Sequence, residues 1–172
     1  GGKKLYGVDG THVRVPDTDE NFEAFGKPGG RGGSSDAGYP QARLVALMNL
    51  DNRMLADARI GAFATSEREL AADLWEQVPD DSITLNDRGL TSYMTLLELI
   101  AEGEGRDFLI RLKSNATYEE VERLDDGTLR ALLHPPKHVR RVDKEVPGPI
   151  EIRVIEYQHE GGEAGRMATT LL

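Results

Sequence analysis

Two short stretches of the chain share a shape that narrows the folds open to it. Leu85-Asn86-Asp87-Arg88-Gly89-Leu90 reads as the end of a buried strand, an acid at its tip and a turn into a helix. Leu5-Tyr6-Gly7-Val8-Asp9-Gly10-Thr11 has the same form, with Gly10 expected to make the turn. Carboxylates at the C-terminal ends of strands stand where open α/β sheets bind ligands. If the two strands are neighbours, Asp9 and Asp87 lie close together and repel. A hard cation such as Mg²⁺ resolves that repulsion, because it prefers oxygen ligands and needs few from the protein. The competing reading is that each aspartate only caps its turn.

The remaining elements agree with a layered α/β sheet. Ala42–Leu50 and Met54–Ile60 are strand-like and flank Asp51-Asn52-Arg53, a tight-turn sequence, so they form an antiparallel hairpin. Ser66 and Glu69 have capping-box spacing, and Leu70, Leu74 and Val78 follow at intervals of four. Thr91 or Ser92 caps a second helix whose Tyr93, Leu96, Leu97 and Ile100 make an apolar stripe. Asp107–Leu112 is another strand. The order of strand, hairpin, helix, strand, helix, strand is that of an α/β sheet. Residues 20–25 carry a short helical turn. Gly26–Gln41, with six glycines and two prolines, reads as a mobile loop that could bring Lys27 and Arg31 to a substrate.

After Lys113 the pattern becomes β-rich. Tyr118–Leu124, Thr128–Leu133 and Ile150–Gln158 read as strands, and no strong helix is evident. This gives two units, 1–113 as an α/β core and 114–172 as a β-rich insertion.

Composition removes several function classes. There is no cysteine, so thiolate chemistry and zinc–thiolate sites are excluded. No apolar run approaches a membrane span and no leader is visible, so a cytoplasmic protein is expected. The net charge is -9, with residues 1–60 neutral and the rest acidic. That balance disfavours phosphate-rich partners, except on a face offered by Arg14, Lys27, Arg31 and Arg43.

Other candidates are weaker. Glu98, Glu102 and Glu104 fit a solvated helix face, and Glu119, Glu120 and Glu122 a solvated strand face. His134 and His138 have ligand-like spacing, but Pro135-Pro136 keeps them off one helical face. His12 lies within reach of the Asp9 region. Asp9-Gly10-Thr11 resembles the haloacid-dehalogenase signature, yet Gly7 stands where that family has its nucleophilic aspartate.

Taken in order, Val8-Asp9-Gly10-Thr11, Val15-Pro16-Asp17-Thr18, Phe25-Gly26-Lys27-Pro28-Gly29, Tyr39 to Leu47, Leu85 to Leu90 and Arg111-Leu112-Lys113-Ser114-Asn115 resemble bacterial insertion-sequence DDE-type transposases, in the group with a β-rich insertion. The resemblance implies a ribonuclease-H-like mixed sheet of order 3-2-1-4-5 flanked by helices. It implies Mg²⁺- or Mn²⁺-dependent cleavage of transposon-end DNA and strand transfer into target DNA by a homodimer, in a bacterial cytoplasm and at its nucleoid. Asp9 and Asp87 match the first two catalytic and metal-binding acids. Arg43, Arg88 and Lys113 match recurrent basic positions that touch DNA. The family's third acid, a glutamate on a helix after the insertion, has no counterpart in this chain. The chain is therefore expected to be a fragment of a longer transposase, inactive alone. The alternatives are a non-catalytic remnant with the same fold, or another metal-dependent nuclease or phosphatase.

Overall fold

A computed structural model describes residues 2–28, 38–87, 89–158, 161–162 and 164–172. Nine strands form one sheet in the order β3-β2-β1-β4-β5-β9-β8-β7-β6. The first half comprises β1 (Lys4–Arg14), α1 (Asp19–Phe25), β2 (Gln41–Asn49), β3 (Met54–Ala62), α2 (Glu67–Ala72), β4 (Ser82–Asn86), α3 (Tyr93–Ala101) and β5 (Asp107–Arg111). The second half comprises β6 (Glu119–Arg123), β7 (Leu129–Leu133), α4 (Lys137–Val142), β8 (Ile150–Gln158) and β9 (Ala164–Thr169).

The expected order 3-2-1-4-5 is present. The hairpin β2–β3 runs antiparallel to β1, while β4 and β5 add in parallel on its other side. Strands β6 to β9 form an antiparallel meander whose last strand pairs with β5, so residues beyond 113 continue the same sheet.

One buried row crosses seven strands. Leu47, Val8, Asn86, Ile110, Ala168, Val154 and Leu129 are successive register partners, and each is at most 6% exposed. This face carries the core, with Tyr6, Phe108 and Ile152 beside the row and Leu70, Leu74, Trp75, Leu96 and Leu99 packed in the same cluster from the helical segments. The opposite face is different. On it lie Leu5, Leu44, Ala46, Met48, Ile83, Leu85 and Leu109, none of them buried.

Three local expectations are corrected. Gly10 makes no turn, because β2 pairs with β1 without a break from Tyr6↔Asn49 to Arg14↔Gln41 and holds the backbone extended. A close approach favours glycine there: a Cβ would stand 2.7 Å from the end of the flexible Glu67 side chain, which would have to move aside. The helix after Ser66 is shorter than its apolar spacing suggests. Ser66 caps it as expected, with Oγ accepting from Glu69 N at 3.2 Å, but α2 stops at Ala72 and a 3₁₀ turn, Trp75–Gln77, follows. Leu70, Leu74 and Val78 are buried all the same. Finally, α4 is a helix where none was read. Pro136 stands at its start, where proline's fixed φ suits a helix and its missing N–H costs nothing.

The core row makes a contrast of substitutions informative. Phe108 is fully buried, so Phe108→Ala is expected to cost about 3–5 kcal/mol in urea unfolding. Thr84 is equally buried, but its Oγ1 has no hydrogen-bond partner among the described residues. Thr84→Val is therefore expected to be neutral or to stabilise by up to about 1 kcal/mol. A loss comparable to that of Phe108→Ala would show that the hydroxyl is bonded.

The β6–β7 turn carries a pH dependence. Asp126 accepts from Thr128 Oγ1 at 2.7 Å and from Thr128 N at 3.0 Å, and it pairs with Arg153 at 2.7 Å. The Thr128 bonds chiefly, and the guanidinium secondarily, hold its carboxyl below the usual range. A depressed folded value means stability present above the unfolded pKa of about 3.9 and lost as pH falls through the folded value. Wild type and Asp126→Asn should thus differ in thermal stability at neutral pH and converge in strong acid. A difference that stays constant with pH would contradict this.

Candidate active site

The parallel pairing of β1 with β4 ends at Val8↔Asn86. Asp9 and Asp87 are the next residue on each strand. Paired strands run about 4.8 Å apart, so the two aspartates leave neighbouring backbones at one level of the sheet. Side chains alternate between faces along a strand, so both turn away from the core row and onto the face where Leu5, Leu85 and Leu109 are only partly buried. They line one cavity with Gly7, Met48, Leu50, Leu85 and Arg111. Gly7 keeps the floor low, since a Cβ there would meet Leu50 at 3.3 Å.

The two strands hold their acids differently. Asp9 lies within β1, where antiparallel pairing continues past it, and its Oδ1 accepts from Gly10 N at 2.8 Å. Asp87 lies beyond the last residue of β4. Its carbonyl accepts from Leu90 N at 3.1 Å and Thr91 Oγ1 at 3.0 Å, which bends the chain toward α3. Ser92 then caps α3, its Oγ accepting from Thr95 N at 3.1 Å. Asn86, the residue before Asp87, belongs to the core row, 6% exposed, with neither amide atom hydrogen-bonded among the described residues.

The donor set fits a hard divalent cation: two exposed carboxylates side by side, with room for water ligands. No group of three His, Asp or Glu side chains able to hold a metal occurs among the described residues. His134 is apart from this cavity, its Nε2 lying 2.8 Å from Glu119. His12 projects to the core side and stacks near Phe63, ring centroids 5.0 Å apart. Glu102 does not line this cavity; partial burial first, then the charges of Glu76 and Glu98, push its carboxyl above the usual range.

The basic candidates are dispersed. Lys27 pairs with Asp17 at 2.8 Å and lies over the Phe22 ring. Arg43 pairs with Glu67 at 3.3 Å and donates to the Phe63 carbonyl. Arg14 is exposed at the end of β1. Arg31 and Arg88 lie outside the described residues, as does most of the glycine-rich loop. Lys113 follows β5 and lines a second, larger cavity of about 800 Å³ with Arg68, Arg111 and Lys137. Sequence reasoning passed over those three. The available signal was the alternation Arg111-Leu112-Lys113, which puts both cations on the exposed side of a strand end next to Asp87.

A mixed sheet of order 3-2-1-4-5 with helices against it defines a ribonuclease-H-like α/β protein. The same fold occurs in the piggyBac transposase synaptic complex with hairpin DNA, which superposes on 99% of this chain and 34% of its own at a TM-score of 0.55, with 8% sequence identity. The Transposase DDE domain family matches residues 1–162, and the chain belongs to that family. It is 33% identical over 160 residues to transposase InsG for insertion sequence element IS4 of Escherichia coli K12, covering 93% of this chain and 36% of that protein. It is 36% identical over 121 residues to the putative transposase InsZ of the same organism, covering 70% of this chain and 40% of that one. The chain thus spans between a third and two fifths of these relatives. No helix among the described residues is long and apolar enough to cross a membrane.

The contact at Gly10 can be checked separately. Gly10→Ala should displace the Glu67 side chain and break its pair with Arg43. Partly exposed pairs contribute little, so a loss of roughly 1 kcal/mol or less is expected in chemical denaturation. A loss several times larger would mean that the strand itself, rather than Glu67, has to move.

Proposed function

We propose that this chain is part of the catalytic domain of a DNA transposase, and that Asp9 and Asp87 are two of its three catalytic, metal-holding carboxylates. The observation that carries the reading is the position of the two acids, each one residue past the last parallel pair and both in one cavity. Residues 1–113 are the ribonuclease-H-like core and 114–172 the β-rich insertion, which here prolongs the sheet. The third acid is contributed from outside these residues, so the chain does not transpose DNA unaided.

Asp9 and Asp87 would hold Mg²⁺, or Mn²⁺ in its place. When bound, such an ion activates the attacking oxygen and stabilises charge on the leaving oxygen in phosphoryl transfer. The chain's own part is to fix two carboxylates on adjacent strands, with the β2 ladder stiffening one and the α3 turn the other. The attacking oxygen is that of water in end cleavage and of the freed DNA 3′-hydroxyl in strand transfer. The partners are transposon-end and target DNA, the assembly a homodimer, and the place the bacterial cytoplasm at its nucleoid.

A second reading keeps the fold without catalysis. What favours it is that the described residues bring no third carboxylate to the pair. Activity in the longer protein separates the two. Asp9→Asn and Asp87→Asn, each folded by circular dichroism, should each reduce end cleavage by about 10³-fold or more, as when one member of a cooperating set is removed. Cleavage within a few fold of the parent for either variant would remove that residue from the site.

A further inference from the structure

The chain carries a net charge of -9, yet one cleft in it is cationic. Eight of its lysines and arginines, from Lys3 to Arg153, lie within 4.0 Å of a carboxylate. Arg68, Arg111, Lys113 and Lys137 have no such partner among the described residues, and all four line the 800 Å³ cavity. The only acid on that lining among the described residues is Glu119, already engaged by His134. Arg140 of α4 adds to the charge, acting on the Tyr93 hydroxyl, whose pKa burial raises and the guanidinium draws back down.

The floor of the cleft is apolar and aromatic. Leu96, Ile110, Leu112 and Tyr93 are buried there, and Tyr118 stands in the wall, braced by Arg166 at 5.5 Å from its ring. Cations on a rim above aromatic and aliphatic side chains are what a single nucleic-acid strand requires, with phosphates on the rim and base faces on the floor. A duplex offers phosphates but keeps its base faces stacked inside. The cleft also has a direction: Ile110 and Arg111 line both it and the cavity of Asp9 and Asp87, so the two adjoin at the end of β5.

We propose that the cleft between α3 and α4 seats a single-stranded stretch of DNA leading past Arg111 to Asp9 and Asp87, with Arg68, Lys113 and Lys137 on its phosphates and Tyr118 against a base. This rests on the reading of the chain as a transposase domain, and it adds the state of the strand and the residues that hold it.

Fluorescence anisotropy with a labelled single strand of roughly 15 nucleotides, and with its duplex, tests the proposal on the chain itself. The wild type should bind the single strand more tightly than the duplex, and affinity should fall steeply between about 50 and 200 mM salt. The double variant Lys113→Glu/Lys137→Glu should weaken single-strand binding about tenfold or more and flatten the salt dependence. Lys4→Glu/Arg53→Glu, which changes two cations away from the cleft, should leave it within about twofold of wild type under the same salt conditions. Tyr118→Leu should weaken the single strand while leaving the salt dependence unchanged. Equal losses in the two lysine-containing variants, preference for duplex, or no binding at the lower salt would each overturn the cleft. None of those results bears on Asp9→Asn or Asp87→Asn in the longer protein, so the cleft can fail while the acids stand.

Discussion

The parallel contact of β1 with β4 at Val8↔Asn86 is the constraint on which the site depends. It lies inside a buried row that runs from Leu47 to Leu129, so its register is set by the whole core rather than by the site. A slip of one residue would turn every side chain of β1 to the other face and put Asp9 into the core. Burial of Tyr6 and Val8 therefore determines where the exposed Asp9 stands. Helices α2 and α3 and the 3₁₀ turn between them contribute by packing on the core face, where Leu70, Trp75, Leu96 and Leu99 are buried.

Charge follows a second rule. Many cations are matched locally, as in Lys27 with Asp17, Arg43 with Glu67 and Arg153 with Asp126. These pairs are partly exposed and add little stability each, but they take those cations out of contention for a ligand. Among the described cations without a carboxylate partner, Arg68, Arg111, Lys113 and Lys137 come together beside β5, while others such as Lys4, Arg14 and Arg53 lie elsewhere. A chain that is acidic overall can still offer a local anion-binding face, because screening confines each charge's reach to about 8–10 Å. Net charge alone argued against a phosphate-rich partner; the pairing pattern reverses that inference for one cleft.

Much of the fold was legible in the sequence because the signals were local and strong. The hairpin around Asp51-Asn52-Arg53, the Ser66 and Ser92 caps, and three of the four strands of the second half, β6 to β8, lie where their residues indicate. The order 3-2-1-4-5 came from resemblance, since strand order depends on long-range pairing that no local pattern encodes. Gly10 was misread for the same reason. Glycine after aspartate is a turn signal in isolation, and only the β2 ladder and the nearness of Glu67 show why it is in a strand. Asp9 and Asp87 stood out in the sequence because each follows an apolar run. The cleft was missed because Arg68, Arg111 and Lys137 are far apart in sequence and meet only through the fold.

The central claim is that Asp9 and Asp87 act as one cation site. Nuclear magnetic resonance of the labelled chain with added Mn²⁺ tests it most directly, because the paramagnetic ion broadens amide signals near where it binds. The account predicts the earliest broadening at Asp9 and Gly10 together with Asn86 and Asp87, and its loss at both strands when either acid is changed to asparagine. Broadening that begins at the Glu98–Glu104 cluster, or that persists at one strand after the other acid is removed, would contradict a shared site.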